Sequence, residues 1–327
     1  MRIILWLIAA LVALYTGYWF VASHGLRSGT ETALAKMRAA GTGDYRALDI
    51  GGFPYRFDVT VTAPEVTSPD GEVTWSAPDI RLYALSYQPQ HVIAVLPPNQ
   101  TLRLGRQTIA ITAADLTASA TVGLSSDLPL SHAESVGHTL AITSDFGWGL
   151  LADEARAAVR RAGAGAGQQL GIEMTGLTLK GIPADLVTTG GMLPERGERF
   201  YLDATLTLDS PLDLFTPVDG IRIRGADIRS LAIDWGPTGL SGNGSLTLDA
   251  DGVPAGRIDL SLRNWRATLK LATALGLIRA ETAPTVERAL QGLALLGGDD
   301  ATLNLPLVFQ SGRMSLGPVP LGPAPRF

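Results

Sequence analysis

The chain contains one close grouping of side chains that bind metals in other proteins. His132, Glu134 and His138 lie within seven residues of each other. Imidazole and carboxylate groups are zinc ligands, but a metal site requires them to converge in a rigid frame. Their spacing matches no metalloenzyme motif, and the segment from Ser131 to His138 is typical of a strand edged by loops. The sequence therefore predicts no metal site here.

Two glycine-containing segments resemble ligand-binding loops but lack residues that those loops require. Asp249-Ala-Asp-Gly252 matches the start of a calcium loop, yet Leu260 stands where that loop needs a glutamate. The Gly/Ala segment at 163–167 follows a predicted helix rather than a strand, so it is not a dinucleotide fingerprint. The sequence contains no Gly-x-Ser-x-Gly elbow. We therefore expect no cofactor and no catalytic site, and a hydrolase without a recognisable motif is the second alternative function.

Three arginines form the clearest candidate for binding an anion. Arg156, Arg160 and Arg161 lie at the end of a helix that we predict over residues 145–162. Such a patch is suited to anionic lipid headgroups. The alternative is that the three cations stabilise the negative end of the helix dipole.

Alternation of apolar and polar residues indicates the elements that must position any site. Residues 55–62, 201–208, 244–248, 257–262 and 302–305 each alternate with a period of two, which is typical of strands with one apolar and one wet face. This predicts a mainly β (α+β) fold, with a long antiparallel sheet or groove and a few flanking helices. If these strands share one sheet, their apolar side chains form a surface for acyl chains. The lipid-facing candidates are Phe57, Val59, Leu206, Leu246, Ile258, Leu260 and Leu262.

The order of these patterns predicts five segments. Residues 1–24 are an N-terminal transmembrane anchor or signal, and residues 25–43 are a helical stalk. Residues 44–162 form a β-rich subdomain with a closing helix, followed by a Gly/Ala linker at 163–171. Residues 172–327 form a second β-rich subdomain with a helical insertion at 268–296, interrupted before Pro284.

The N-terminal segment determines the expected location. Residues 3–22 form an uncharged apolar run whose helical length of about 30 Å matches a bilayer core. Tyr15, Tyr18 and Trp19 lie near its end, as interfacial aromatics do. We expect an uncleaved single-pass anchor in the inner membrane and a periplasmic domain; the alternative is a signal cleaved after Ala22. Arg27, Lys36 and Arg38 oppose this orientation by the positive-inside rule, but that rule is weak for long translocated domains.

Composition excludes other classes of protein. A hydrophobic content of 46% and a charged content of 17% exclude general disorder. The net charge of −5 argues against nucleic acid as a partner, because a protein that binds phosphate backbones needs a basic face. The chain has no cysteine and hence no disulfide or thiolate site.

Several strings of residues carry a family resemblance when they are taken together. They include Gly51–Phe57, Trp75–Ile80, Ser86–Val92, Gly244–Gly256 and Leu305–Pro318. With the anchor, they resemble an uncharacterised bacterial family known as domain of unknown function 2125. The last two strings more loosely resemble the membrane-anchored, β-groove envelope proteins of the AsmA type, which are associated with lipid handling. This second resemblance is a fold-level analogy, and it implies only an expectation about function.

These observations predict a membrane-anchored extracytoplasmic envelope protein that binds lipid or lipoprotein along an apolar β-groove. The alternative is a structural or assembly partner of an envelope complex with no ligand of its own. An apolar cavity along the sheet favours lipid binding, whereas a filled core with an exposed apolar patch favours assembly.

Overall fold

A computed structural model describes residues 2–123, 125, 128–163, 165–181, 194–213, 221–274, 281–296 and 299–326. These residues form three helices and twenty strands, and all strand pairs are antiparallel. The mainly β fold predicted from the alternating pattern is therefore confirmed. The helices are α1 (Arg2–Ala39), α2 (Trp265–Ala274) and α3 (Ala283–Leu296).

The strands fall into a set of short ones and a set of long ones. The first ten are β1 (Gly43–Asp44), β2 (Ala47–Gly51), β3 (Arg56–Thr62), β4 (Glu65–Thr67), β5 (Val73–Ser76), β6 (Asp79–Leu85), β7 (Gln88–Leu96), β8 (Asn99–Leu104), β9 (Gln107–Thr112) and β10 (Asp115–Val122). The others are β11 (Leu130–Ser144), β12 (Gly149–Ala162), β13 (Gly167–Lys180), β14 (Gly197–Leu208), β15 (Ile223–Trp235), β16 (Thr238–Leu248), β17 (Pro254–Arg263), β18 (Thr302–Gln310), β19 (Arg313–Leu316) and β20 (Val319–Pro323).

The short strands form two leaves that meet on β11. One leaf has the order β2-β3-β6-β7-β10, and the other has the order β1-β4-β5-β8-β9. Strand β10 pairs with residues 130–138 of β11, whereas β9 pairs with residues 141–144. From β11 to β20 each strand pairs with the next one in the chain. The result is one long meander that divides at its N-terminal side.

The strands are interrupted at the boundary between the two leaves. Thr139 in β11 and Gly176 in β13 have positive φ values of 52° and 61°, and neither is paired with a neighbouring strand. Near this boundary, successive apolar positions along the chain are three residues apart instead of two. The steps run from 113 to 116, from 137 to 140, from 152 to 155 and from 174 to 177. Thr139 and Asp153 have no partner in the β11–β12 register, and Gly176 has none on either side, so the ladder is interrupted at this boundary.

The helix predicted over 145–162 is wrong, because residues 149–162 form β12. Trp148, Leu151, Ala155 and Val159 have helical spacing in the sequence. In the strand, Leu151 is next to Ala152, which shares the face of Ala155, so Leu151 lies on the opposite face from Ala155. The helical spacing in the sequence therefore does not correspond to one face of the structure.

Two segment boundaries also differ from the prediction. Residues 167–171 begin β13, which pairs with β12 along its length, so they are part of a hairpin rather than a linker. The expected stalk is helical but continuous with the anchor, since α1 runs to Ala39. It ends where Gly41 adopts a φ of 70° and Thr42 N–H donates to the Met37 carbonyl at 2.9 Å. In the region of the helical insertion predicted at 268–296, residues 265–274 and 283–296 are helical, while residues 275–280 lie outside the described part.

Helix α1 is fixed to the sheet by an aromatic cluster. The Trp19 ring is 5% exposed, stacks on Phe57 with centroids 5.8 Å apart and meets the edge of Phe53 at 5.3 Å. Its indole N–H donates to the Arg56 carbonyl at 3.0 Å. The Tyr18 hydroxyl donates to the Ser86 carbonyl at 2.7 Å. These contacts hold one end of the β-domain against the second half of the apolar run.

The other two helices cover the same face of the sheet, but near its other edge. Trp265 and Leu269 of α2 and Leu290 of α3 pack on Leu303 and Leu305 of β18 in one buried cluster. The Trp265 indole N–H donates to the Asp300 carbonyl at 3.0 Å, which closes the connection back to the sheet. This end of the sheet therefore has a filled core.

We expect Phe57→Ala to lower the free energy of unfolding by about 3–5 kcal/mol, because it leaves a cavity beneath Trp19. The measurement is denaturant unfolding of the full-length chain in detergent. Phe146→Ala is the matched control, since that ring is 66% exposed and its loss should change stability by less than about 0.5 kcal/mol. Equal effects of the two substitutions would contradict the described burial of Phe57.

Candidate functional site

One face of the sheet is apolar across its whole width. Within the described residues, a single row of directly opposed side chains crosses thirteen strands. In sheet order the row is Ile50, Val59, Leu82, Ala94, Ala118, Ser135, Ala157, Ile172, Leu202, Leu231, Gly242, Leu260 and Leu305. Because alternate residues of a strand share a face, the neighbouring rows are on the same side. We call this side the apolar face.

The apolar face contains a groove where its side chains become small. Ala94, Ala118, Ala120, Ala133 and Ala157 form the floor of a cavity of about 840 Å³. Larger side chains line its borders: Leu82, Val92, Val122, Val159 and Leu170. Five methyl groups on five adjoining positions leave the space that leucines fill elsewhere in the sheet. We call this cavity the alanine groove.

Helix α1 forms one border of the alanine groove. Leu26, about two turns beyond Trp19 of the aromatic cluster, lines the cavity. Pro89 and Gln90 line the same cavity, and they follow the β6–β7 turn that binds Tyr15 and Tyr18. The groove thus begins beside the contact between the anchor and the sheet.

The opposite face of the sheet carries paired charges. Arg229 binds Asp203, Arg199 binds Glu173 at 2.6 Å and Arg263 binds Asp234 at 3.2 Å. The hydrogen bond to Asp203 raises the pKa of Arg229 above its ordinary value. Among the described groups, those with shifted pKa values lie in turns or in ion pairs of this kind rather than together in one pocket. This face is a solvated surface, and the arrangement most suited to a ligand is the groove.

Comparison with known families identifies the chain. A bacterial family described as "uncharacterized protein conserved in bacteria (DUF2125)" matches residues 19–325. The chain belongs to this family. The match confirms the resemblance that we drew from the sequence strings, whereas the likeness to AsmA-type envelope proteins stays a prediction. No curated protein matches the chain.

In this DUF2125 member, the lipid-facing candidates share the apolar face but do not line the alanine groove. Phe57 and Val59 are buried, and Phe57 packs under Trp19 of α1. Leu206 and Leu246 are half-buried, and Ile258 is buried. Leu262 packs against the cluster beneath α2 and α3. Leu260 borders a separate cleft of about 520 Å³ with polar neighbours such as Arg229 and Asp259. A lipid-facing role for these residues stays a prediction.

The predicted arginine patch does not exist as one surface. Because residues 149–162 form a strand, Arg156 and Arg160 lie on the charged face and Arg161 lies on the apolar face. Arg156 binds Glu154, and Arg160 donates to the Gln169 side-chain oxygen at 2.8 Å. The helix-dipole explanation is wrong for all three, since this segment contains no helix.

The histidine grouping also lies on the charged face. His138 Nδ1 is 2.7 Å from Asp115 Oδ1, and His132 Nε2 is 3.4 Å from Glu134 Oε2. In the described part of the chain, no set of three or more metal-binding side chains converges. Asp249 accepts hydrogen bonds from the Asp251 and Val253 amides at 2.9 Å, as the predicted hairpin turn requires.

The residues of the alanine groove were missed because alanine gives little contrast in an alternating pattern. Leu116, Ala118, Ala120 and Val122 alternate with Thr and Ser, which is a weak apolar signal. The run does alternate strictly with a period of two, and this is the signal from which β10 could have been predicted.

We expect Trp19→Ala to release α1 from the sheet, because the substitution removes the buried ring contacts and the hydrogen bond to Arg56. Trypsin should then cleave faster after Arg27, Lys36 or Arg38. Mass spectrometry of timed digests in detergent measures this rate. Trp6→Ala is the matched control, since Trp6 lies on the same helix and is 77% exposed. Unchanged cleavage in Trp19→Ala would show that the aromatic cluster does not hold the helix.

Proposed function

We propose that this protein is a membrane-anchored, extracytoplasmic envelope protein that holds the acyl chain of a lipid or lipoprotein in the alanine groove. The observation that supports this proposal is an apolar cavity of about 840 Å³ on a sheet face that α1 borders. Cavities of about 300–1,000 Å³ are the usual size of small-molecule sites. A bare apolar surface of this extent is unusual on a soluble domain, and an acyl chain would cover it.

The energetics favour an alkyl chain over a polar ligand. Each buried methylene contributes about 0.8 kcal/mol, so ten methylenes in the groove would contribute about 8 kcal/mol before the costs of ordering the chain. Most of the lining is apolar, and its polar members are Gln90, Ser119, Glu134 and Ser135. An alkyl chain therefore contacts apolar side chains over most of the groove, where a polar ligand would leave hydrogen bonds unsatisfied.

Helix α1 is long and apolar enough to span a membrane by its length and composition. The aromatic cluster supports an anchor that is retained in the mature protein. Cleavage after Ala22 would remove Trp19 and expose Phe57, which would lose its packing partner.

The same contacts set the depth of the domain. Tyr15 lies about 10 Å and Trp19 about 5 Å before the end of the apolar run. Since the Tyr15 hydroxyl is 2.8 Å from Ser86 Oγ, the β6–β7 turn would reach about 10 Å inside the end of the apolar run, in the outer part of the bilayer, if the whole run spans it. Tyr87 in that turn is 66% exposed, and Phe53 and Tyr55 beside it are also exposed. Exposed aromatics are stable at this depth, so the groove would begin at the lipid surface.

The flanking charges are compatible with an extracytoplasmic domain. Arg38 binds Asp44 and lies over the Tyr45 ring, and its hydrogen bond keeps the pKa of Asp44 below the ordinary value. Arg27 is 3.7 Å from Glu31. Two of the cations that oppose this orientation are thus paired with acidic groups.

A role as an assembly partner has support at a separate cleft, whose polar lining belongs to the charged face of the sheet. The 520 Å³ cleft around Leu260 carries Arg229, Asn243 and Asp259 beside apolar residues. This mixture is typical of protein interfaces rather than of acyl-chain sites.

The orientation is tested by a reporter enzyme that is active only in the cytoplasm, fused after Phe327. We expect no reporter activity and retention of the protein in carbonate-washed membranes, because α1 anchors a translocated domain. A reporter that is active only in the periplasm is the control fusion at the same site. Strong cytoplasmic activity would show that the positive-inside rule sets the orientation.

The groove is tested by labelling with a photoactivatable long-chain lipid. We expect crosslinks on β7 and β10–β13 in the full-length protein, and their loss in Ala118→Trp, because the indole fills the groove. Ala110→Trp is the matched control, since Ala110 is exposed on β9. Mass spectrometry maps the labelled residues, and circular dichroism checks that both variants fold.

A well-folded protein labelled only along residues 3–22 would contradict lipid binding in the groove. The assembly-partner function would then be favoured. If the Ala118→Trp and Ala110→Trp variants were labelled to the same extent on β10–β13, the acyl chain would not lie in this cavity.

A further inference from the structure

Two polar side chains lie on the apolar face next to the alanine groove. Arg161 of β12 is directly opposite Gln168 of β13. Each is two residues from a groove-lining residue of its own strand, Val159 and Leu170 respectively. A strand rises about 3.3 Å per residue, so the pair lies about 7 Å beyond the groove lining. Directly opposed Cβ atoms are about 5 Å apart, which places both polar groups at one point.

Both side chains have polar atoms that are buried without partners. Gln168 is 1% exposed, and its Oε1 and Nε2 have no hydrogen-bond partner in the structure. The Nε of Arg161 is also buried and without a partner. The third side chain of this row, on β14, is Leu206, which offers no polar group. Exchanging the Gln168 amide atoms does not change this result, because both are unpaired.

Such an arrangement is costly in a folded protein unless a ligand completes it. Buried polar atoms without partners destabilise a fold, and this holds for the Gln168 amide and for the Nε–H of Arg161. Its neighbour Arg160, in contrast, lies on the charged face and is hydrogen-bonded to Gln169.

The donors of the pair define the class of ligand. The Arg161 Nε–H and the Gln168 amide N–H are suited to the oxygens of a phosphate or carboxylate, which charged donors bind strongly. Gln168 Oε1 accepts a hydrogen bond, as from a hydroxyl group of the same head. Leu130 at the start of β11 donates its N–H to the carbonyl of Leu212, which follows β14, at 2.9 Å. The segment after β14 therefore runs across this end of β12 and β13, beyond Arg161 and Gln168. A ligand would therefore end here rather than pass through.

We infer that Arg161 and Gln168 bind the oxyanionic head of the lipid whose acyl chain lies in the alanine groove. This inference rests on the proposed function, since the groove must hold the chain that brings the head to the pair. The ligand class is thus an anionic lipid with a phosphate or carboxylate head, and neutral lipids of equal chain length bind more weakly.

The test compares two photoactivatable probes with the same long chain, an alkyl phosphate and a fatty alcohol. The full-length protein in a neutral detergent should be labelled in the groove at about tenfold lower concentration of the phosphate. A tenfold ratio corresponds to about 1.4 kcal/mol. Arg161→Gln and Gln168→Leu should each reduce this preference while labelling by the alcohol persists. Arg160→Gln is the matched control and should keep the full preference.

The outcomes separate this inference from the proposed function. Groove labelling by both probes at equal concentrations would overturn the head site and keep the acyl groove. Absence of groove labelling by either probe would overturn both. Inorganic phosphate should not compete at concentrations where the alkyl phosphate does. Competition at equal concentrations would show a site for free phosphate and overturn the lipid head.

Folding of the variants is checked by circular dichroism and thermal unfolding. If Arg161→Gln does not fold, Arg161→Lys keeps the charge and the long stem but lacks the Nε donor. We expect the preference for the phosphate to fall in this variant, and an unchanged preference would overturn the role of the guanidinium.

Discussion

An apolar sheet face must be covered, and in this protein three helices cover only its two sides. Trp19 of α1 packs on Phe57 at the first strands, and α2 and α3 pack on Leu303 and Leu305 near the last ones. The strands between them keep the same alternation, and among the described residues no helix lies above that part of the face. The described part of the chain thus leaves an apolar surface uncovered. The alanine groove lies directly beside α1, where that surface becomes hollow.

The sequence predicted the face better than the groove. Strong alternation with Leu, Ile, Val and Phe located β3, β14, β16, β17 and β18, and all seven lipid-facing candidates do share one face. The groove depends on Ala118, Ala133 and Ala157 in neighbouring strands, and only the register brings these residues together. These strands are consecutive in the chain, but the register between them is not encoded in the alternation of any single strand, so the position of the cavity could not be predicted.

The errors at residues 145–162 are linked. A helical spacing of apolar residues in the sequence predicted a helix there, and that helix grouped Arg156, Arg160 and Arg161 on one surface. In the strand, alternation places Arg161 alone on the apolar face, opposite Gln168. Alternation therefore decides which arginine can meet a ligand in the groove and which ones remain on the solvated side.

The anchor and the groove form one unit, because Tyr15, Tyr18 and Trp19 bind the sheet and Leu26 borders the cavity. The most direct test of this account is a crystal structure of the full-length protein with a lipid brominated along its acyl chain. Anomalous bromine peaks are predicted between Leu26 and the alanines of β7 and β10–β12. Peaks only around residues 3–22, with an empty groove in a protein saturated with the lipid, would contradict it.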